Sequence, residues 1–315
     1  MSAGRPNGTV SGATGYLHPG YAASFTGDGT TARSLPNCGG WLVERPIPDS
    51  HARDGMGCYP MFACRDWSAL GHDLEYIGPD LVSVTLVTDP FGACDEAALA
   101  AVFDRVVPYK QHYVADLTRP RRDVMTADRE RCAALARKRG VTVEEVAHPP
   151  DLIDEWAALY SRAMQRLDAR GPVLSRETVL AQLHLPGIVM LRAACREATV
   201  GLGLFAIHDD VAYAHLVAMA DSAHELRVSC ALYYDAIERL SGRVRWIDWG
   251  GVAGPADNPD DGLARFKRGW SSGQRTAFLC MRILDREQYA ALTEARRRTG
   301  SAYLPAYRAP APDPD

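Results

Sequence analysis

Lysine is scarce in this sequence, and long apolar runs are absent. Only three of the 35 basic residues are lysine, namely Lys110, Lys138 and Lys267, and all the others are arginine. No apolar segment approaches the roughly 18 residues of a membrane-spanning helix. The first residues, MSAGRPNGTVSGATG, lack the apolar core of a secretory signal. We therefore expect a cytoplasmic protein without a membrane span.

Common metal-site signatures are also missing. The eight cysteines include no Cys-x-x-Cys pair, and the nine histidines include no His-Glu-x-x-His motif. We therefore expect no bound metal. We also expect reduced, mostly buried thiols at the cysteine positions 38, 58, 64, 94, 132, 195, 230 and 280.

Two glycine-rich or acidic segments have structural explanations. GLGLFA at 201–206 matches a loose dinucleotide-binding pattern, but it lies inside a predicted strand. Such a site needs its glycines where a strand ends and a helix opens onto the pyrophosphate. We interpret these glycines as a place of close backbone packing. ADNPDDG at 256–262 lacks the ligand spacing of a calcium loop and is typical of a solvated turn.

The remaining composition is typical of a globular α/β chain. With 315 residues, 47% of them hydrophobic, the chain is long enough for two cores. Periodicity predicts strands at 41–45, 81–89, 111–117, 141–147, 188–195, 199–207, 211–219, 243–249 and 276–284. It predicts helices at 67–74, 95–107, 126–139 and 229–240, with others beginning at 151, 175 and 285. The break at 148–150 suggests a flexible tail (1–14), two domains (15–148 and 149–300) and a Pro-rich tail (301–315).

Near the C-terminus, the strand that ends in Asp248-Trp249-Gly250-Gly251 is followed by GLARFKRGW at 262–270. Together with the preceding meander and helix, this resembles the GNAT acyltransferases, and more narrowly their FemX/FemAB-like branch. That branch carries a "DFGG… GL..FK.G(F/W)" segment, and here Trp249 replaces the more usual Phe. The match covers roughly residues 150–284. It is weaker in the N-terminal half, through Tyr59-Pro60, the strand 81–89 and KQHY at 110–113.

The resemblance implies tandem GNAT-like domains, each a mixed, largely antiparallel sheet flanked by helices. It also implies an acyltransferase that forms an amide bond. Members of the branch transfer an aminoacyl group from aminoacyl-tRNA to an amine, here a small-molecule or peptide acceptor. The lysine of their Phe-Lys pair is thought to stabilise the oxyanion, which points to Lys267 in this chain. Phe266 would bury and fix the backbone, while Gly262 and Gly269 favour a turn.

Asp248 is a further catalytic candidate because it ends a strand beside two glycines. We expect neither Asp248 nor His215 to be obligatory. The predicted substrate-binding residues are Tyr59, Tyr109, Lys110, His112, His215, Trp249, Gly250 and Gly251.

The sequence argues against coenzyme A as the donor, and we expect no cofactor. CoA-using GNAT enzymes present small glycines to the pyrophosphate, whereas the corresponding stretch here carries Cys230 and Leu232 after Arg227. The net charge of −4 gives no general basic surface, so we expect no DNA partner. The predicted RNA-binding residues are Arg119, Arg121, Arg122, Arg265 and Arg268. Two alternatives stay open: an acyl-CoA-dependent N-acyltransferase and a non-catalytic module that binds RNA or a partner.

Overall fold

The described residues form eleven strands and eleven α-helices. The computed structural model describes residues 12–166, 174–252 and 261–310. The strands are β1 (Thr31–Leu35), β2 (Gly40–Pro46), β3 (Arg53–Gly57), β4 (Ser83–Val87), β5 (Arg105–Asp116), β6 (Val141–Glu145), β7 (Ile188–Cys195), β8 (Ala198–His208), β9 (Val211–Met219), β10 (Trp246–Asp248) and β11 (Gly273–Ile283). The helices are α1 (Pro19–Ala23), α2 (Leu70–Ile77), α3 (Glu96–Val102), α4 (Arg121–Val124), α5 (Ala127–Lys138), α6 (Ile153–Arg166), α7 (Arg176–Leu183), α8 (Ala223–Leu226), α9 (Val228–Leu240), α10 (Gly262–Arg268) and α11 (Arg286–Ala295).

All these strands belong to one sheet with the order β1-β2-β3-β4-β11-β5-β10-β9-β8-β7-β6. In this part of the chain only β3 with β4 and β9 with β10 are parallel neighbours. The predicted mixed, largely antiparallel sheet flanked by helices is confirmed. Its two halves are joined in a single continuous sheet.

The same strand pattern occurs twice in this sheet. The antiparallel meander β1-β2-β3 is followed by parallel β4 and antiparallel β11. The meander β7-β8-β9 is followed by parallel β10 and antiparallel β5. Each half therefore takes its last strand from beyond the expected boundary near residue 148. The division into domains 15–148 and 149–300 stays a prediction.

Alternating residues of the meander strands face different helices. On β7, Met190 packs with the core beneath α6 and α7, whereas Leu191 packs with the core beneath α5 and α9. This follows from the two-residue period of a strand. Because both faces are covered, β7 carries apolar residues on both faces along most of its length.

Most predicted elements of the C-terminal half are confirmed. β7 and β9 occupy their predicted ranges, 188–195 and 211–219. Ser175, where the sequence predicts a helix to begin, caps α7 by accepting a hydrogen bond from the Thr178 N–H. Short hairpin connections hold the meander together.

Three local predictions are wrong. The helix predicted to reach about Val107 ends at Val102, and β5 already begins at Arg105. The β-branched pair at 106–107 and the following proline favour the strand. The strand predicted at 243–249 is reduced to 246–248, and the turn predicted between Gly262 and Gly269 is the helix α10.

The prediction that all cysteines are reduced is also wrong. Cys132 on α5 and Cys230 on α9 form a disulfide, with their Cα atoms 5.8 Å apart. The two positions are 98 residues apart in sequence, so only the packing of α5 against α9 brings them together. The other six cysteines are free, at positions 38, 58, 64, 94, 195 and 280.

The two predicted tails lie partly outside the residues that the structure describes. Residues 1–11 of the predicted flexible tail and residues 311–315 of the Pro-rich tail lie outside the described ranges. Within 301–310, Tyr307 is buried, and its hydroxyl lies 2.8 Å from Ser83 Oγ and donates to Asp54. This segment therefore packs on the N-terminal half of the sheet. None of the described helices is both long and apolar enough to cross a membrane.

Candidate active site

The candidate site lies where β9 and β10 separate. These strands pair only through residues 211–213 and 246–248. Beyond them, β9 continues to Met219, while Trp249 donates its backbone N–H to the Tyr113 carbonyl on β5 at 2.9 Å. Two cavities open in the resulting gap. The first has a volume of about 380 Å³ and the second about 360 Å³.

The two cavities share the walls Ala214, His215, Trp249 and Lys267. The predicted catalytic and substrate-binding residues gather here. The first cavity is lined by Tyr59, Tyr109, Lys110, His112, His215, Asp248, Trp249, Gly250, Gly251 and Lys267. Phe266 lines the second cavity. Residues from β5, β9, β10 and α10 thus meet although they are far apart in sequence.

Lys267 reaches this junction from α10. Asp261 caps the helix by accepting hydrogen bonds from the Leu263 and Ala264 N–H groups. The Trp249 indole donates to the Trp270 carbonyl at 2.8 Å and so ties the end of α10 to the segment after β10. These contacts fix the backbone from which the lysine extends.

The Lys267 ammonium is held in a nearly closed environment. Its residue is only 8% exposed, and Nζ donates to the Gly251 carbonyl at 2.5 Å. Burial lowers the pKa of Lys267 to about 8, and the nearby Asp248 carboxylate opposes part of that effect. Gly250 has a φ of +72°, which favours glycine at the turn beside the ammonium.

Asp248 forms a buried pair with His112. His112 Nδ1 lies 2.8 Å from Asp248 Oδ2, and Asp248 Oδ1 accepts the Gly250 N–H at 2.7 Å. His112 lies on β5 and Asp248 ends the neighbouring strand β10, so the pair links the two strands. Both side chains therefore stand beside Lys267 on the wall of the first cavity.

His215 is enclosed by a directed hydrogen-bond network. Gln182 donates through Nε2 to Ser24 Oγ at 3.1 Å, so its Oε1 faces His215 Nε2 at 3.0 Å. Nε2 consequently carries the proton, and Nδ1 accepts from the Tyr16 hydroxyl at 3.2 Å. Burial lowers the pKa of His215 to about 3, so the ring is neutral near pH 7. His215 is a wall residue with both nitrogens engaged.

Tyr16 and Gln182 were missed by sequence reasoning. Tyr16 follows a Gly- and Ser-rich stretch that suggested only a tail, and Gln182 lies in the last turn of α7. The available signal was weak, since an aromatic residue beside glycines and one amide in a helix are both common.

Aromatic rings form the side of the second cavity. Trp249 stacks on Tyr233 with ring centroids 4.2 Å apart, and Phe266 meets Tyr233 edge-on at 4.9 Å. Trp249 is buried, whereas Phe266 is only partly buried. These contacts hold α10 against α9 and make the cavity wall apolar.

The first cavity continues into the N-terminal half of the sheet. It shares Tyr59, Pro60, Val87 and Tyr109 with a third cavity of about 460 Å³. The third cavity opens beside the parallel pair β3 and β4. Arg45 and Arg308 line it, and both guanidinium groups bind the Asp54 carboxylate.

Lys110 lies on β5 beside Lys267, so two of the three lysines line the first cavity. The Lys110 side chain passes close to Gly251, where an added Cβ would lie 3.1 Å from Lys110 Cβ. Both glycines of the segment after β10 are therefore next to a lysine.

The predicted RNA-binding arginines fall into two groups. Arg119 pairs with Asp123 at 3.7 Å, and Arg121 pairs with Glu238 at 3.1 Å. Arg122 is exposed and lies 4.0 Å from Asp123. Acidic partners thus offset much of the positive charge in this group.

Arg265 and Arg268 form the second group, on the exposed side of α10. The Arg129 guanidinium lies 4.6 Å from the centre of the Phe266 ring and adds a further positive charge there. This surface lies next to the second cavity, which Leu263, Phe266 and Lys267 line.

The stretch compared with the CoA-binding turn carries larger side chains in place of glycines. Arg227 adopts a left-handed conformation, and α9 begins at Val228. Val228, Cys230 and Leu232 are all buried. The disulfide holds α5 against this first turn of α9. Among the described residues, no cluster of three or more His, Cys, Asp or Glu side chains could hold a metal ion.

Known proteins resemble this chain in fold rather than in sequence. No family model and no curated protein matches it. The FemX crystal structure aligns with a TM-score of 0.65 and 12% identity, over 87% of this chain and 93% of FemX. The C-terminal domain of a putative lysylphosphatidylglycerol synthetase from Agrobacterium fabrum aligns with a TM-score of 0.61 and 12% identity, over 85% and 87%.

L-PGS from Bacillus licheniformis has a TM-score of 0.54 and 11% identity to this chain, over 80% of this chain and 88% of L-PGS. The chain therefore has the FemX-like fold that the segment around Lys267 predicted.

Proposed function

We propose that the chain is an acyltransferase that forms an amide bond, moving an aminoacyl group from aminoacyl-tRNA to the amine of a small-molecule or peptide acceptor. One observation carries the proposal: a buried lysine ammonium lies where two cavities meet. The FemX-like fold is consistent with acyl transfer.

In this reaction the acceptor nitrogen attacks the ester carbonyl carbon of the donor. The new C–N bond forms while the carbonyl oxygen gains negative charge. Lys267 would stabilise that oxygen, because an ammonium in a nearly dry site interacts strongly with charge that develops in the transition state. The C–O bond to the ribose then breaks.

The second cavity is suited to the donor. Its mouth carries the exposed apolar side chains of Val217 and Leu263, and its wall carries Tyr233, Trp249 and Phe266. Phe266, whose ring is only partly buried, would stack on a nucleobase there. The adjacent arginines of α10 would contact the phosphates of the tRNA acceptor end.

The first cavity is suited to the acceptor. Together with the third cavity it extends from Lys267 towards Arg45 and Arg308. This length would accommodate an acceptor larger than a simple amine. Its body would lie along the N-terminal half of the sheet, with its amine beside Lys267.

The start of α9 argues for a tRNA donor over CoA. A pyrophosphate needs close approach to backbone N–H groups at a helix start. Here the first turn of α9 carries Val228 and Cys230 in place of glycines, and α5 is bonded to it through Cys132.

A donor comparison tests the proposal. The protein is incubated with amines and either total tRNA charged with labelled amino acids or acetyl-CoA, and products are identified by mass spectrometry. We expect amide formation from charged tRNA that RNase abolishes. RNase-resistant transfer from acetyl-CoA would instead support the N-acyltransferase alternative. RNA binding without any transfer would support the non-catalytic alternative.

A further inference from the structure

We propose that His112 is the general base of the transfer reaction and that Asp248 is its positioning residue. The inference rests on the proposed acyl transfer, although it does not depend on which donor is used. It departs from the sequence-based expectation that Asp248 is dispensable.

The geometry sets the protonation pattern of His112. A carboxylate only accepts hydrogen bonds, so the 2.8 Å contact with Asp248 Oδ2 requires a proton on His112 Nδ1. The Gly250 N–H holds the other carboxylate oxygen at 2.7 Å. In the neutral ring, Nε2 therefore carries the free lone pair.

Nε2 of His112 is open to the first cavity. Within the described ranges, the hydrogen bond to Asp248 is the only one that the His112 side chain makes, and Nε2 is not among the fully buried polar atoms that lack a partner. The side chain keeps 10% exposure and lines the cavity. A basic nitrogen thus faces the space in which the acceptor amine would lie, on the same wall as Lys267.

The other buried histidines differ in this respect. Both nitrogens of His215 are engaged, by Tyr16 and Gln182. His208 also faces a carboxylate, Asp89, at 3.3 Å, but it lines none of the three cavities. His112 alone among these three combines a carboxylate partner with an open nitrogen.

The proposed step balances without any further reactant. The neutral amine attacks the ester carbon, and the C–N bond forms. The proton of the resulting ammonium passes to His112 Nε2, leaving a tetrahedral oxyanion beside Lys267. The C–O bond breaks as the oxyanion re-forms the carbonyl, and the departing oxygen takes the proton from the imidazolium. Asp248 stabilises the charged ring throughout.

The variant His112→Asn distinguishes a catalytic role of His112 from a purely structural one. The asparagine amide can still donate to Asp248, as Nδ1 does, but it provides no base in place of Nε2. The full-length variant is assayed with charged total tRNA and two acceptors, ethylamine and hydroxylamine. After attack, ethylamine gives a weakly acidic ammonium that needs a base to lose its proton, whereas the ammonium formed from hydroxylamine is far more acidic and loses its proton readily to water.

We expect His112→Asn to lower kcat with ethylamine by about 10²–10⁴-fold, as for loss of a general base. With hydroxylamine the loss should be much smaller, and added imidazole should restore part of the ethylamine rate. His208→Gln, which alters the other buried His–Asp pair, should leave both rates near those of the wild type.

A structural role predicts a different result. Near-normal rates in His112→Asn, or equal losses with both acceptors, would overturn the assignment of His112. If the wild-type protein uses acetyl-CoA instead of charged tRNA, the tRNA donor is wrong and the same comparison of acceptors still decides the role of His112. Transfer from neither donor would overturn both proposals.

Discussion

At the scale of single residues, Lys267 faces two opposing demands. It must be charged to stabilise an oxyanion, yet burial favours its neutral form and lowers its pKa to about 8. Asp248 offsets part of this cost, because its carboxylate favours the ammonium. The same carboxylate holds His112, so one buried acid supports both a cation and a base.

This balance predicts the alkaline side of the pH profile. The protonated ammonium is present below the pKa, so activity should fall as pH rises through about 8. Asp248→Asn removes the charge that raises this pKa and should move the fall to lower pH. The measurement is kcat against pH with hydroxylamine as acceptor, whose ionisation lies on the acid side.

The quantity compared is the pH at which kcat falls on the alkaline side, and the maximum value of kcat is not used. Asp116→Asn provides the control, because Asp116 lies on the neighbouring strand β5 and binds Arg245 outside the first cavity. A fall that stays in place in Asp248→Asn would contradict the coupling between Asp248 and Lys267.

At the scale of secondary-structure elements, the path of the chain depends on a few backbone contacts. Gly187 precedes β7 with a φ of +84°, and a Cβ there would lie 2.4 Å from the Ile207 carbonyl oxygen. Gly242 follows α9 with a φ of +81°, and a Cβ there would meet nothing within 4 Å. Both glycines have a positive φ, but only at Gly187 would an added Cβ clash with neighbouring atoms.

Alanine substitutions should therefore differ in cost. Gly242→Ala should lower the free energy of unfolding by about 1 kcal/mol, the strain of a left-handed residue. Gly187→Ala should lower it by about 1–3 kcal/mol more, because the backbone must shift to relieve the clash. Chemical denaturation of both variants measures this, and equal losses would contradict the packing described around β8.

The helix α10 carries the charge that we assign to donor binding. The Arg265 side chain forms no ion pair in the described part of the chain, in contrast to Arg119 and Arg121. Arg265→Ala should weaken tRNA binding and reduce the slope of log affinity against log salt by about 1, as for one lost phosphate contact.

Filter binding of charged tRNA at several salt concentrations measures this slope. Arg105→Ala is the matched control, since Arg105 is exposed at the start of β5, away from the cavity residues of that strand. An unchanged slope in Arg265→Ala would remove α10 from the RNA-binding surface.

At the scale of the whole molecule, local patterns predicted local structure well. The meander β7-β8-β9 was predicted because its turns are short and its strands are apolar. The placement of β11 between β4 and β5 was not predicted, because the sequence of a strand does not show which strands it pairs with. The Cys132–Cys230 bond escaped prediction for the same reason.

In the candidate site too, local sequence patterns predicted some residues, whereas others depend on tertiary contacts. Lys267 was predicted from its Phe-Lys segment, and it lines the first cavity together with all the predicted substrate-binding residues. The pairing of His112 with Asp248 spans 136 residues and depends on the order of β5 and β10 in the sheet. Tyr16 and Gln182 join the site only through tertiary packing.

The doubled strand pattern gives the molecule two openings of related geometry. The gap beside β9 and β10 holds Lys267, and the third cavity opens beside β3 and β4. The first cavity connects them. In the proposed function, one half therefore performs the chemistry and the other holds the body of the acceptor.

The most direct measurement is the steady-state kinetics of Lys267→Ala and Lys267→Arg with charged tRNA. We predict that Lys267→Ala lowers kcat by about 10²–10³-fold with little change in KM for the donor. Lys267→Arg should recover little, because a planar guanidinium does not fit the position of a compact ammonium. Lys138→Ala, at the exposed end of α5, should behave as the wild type. Near-wild-type kcat in both Lys267 variants, or a loss confined to KM and its salt dependence, would contradict the catalytic role of Lys267.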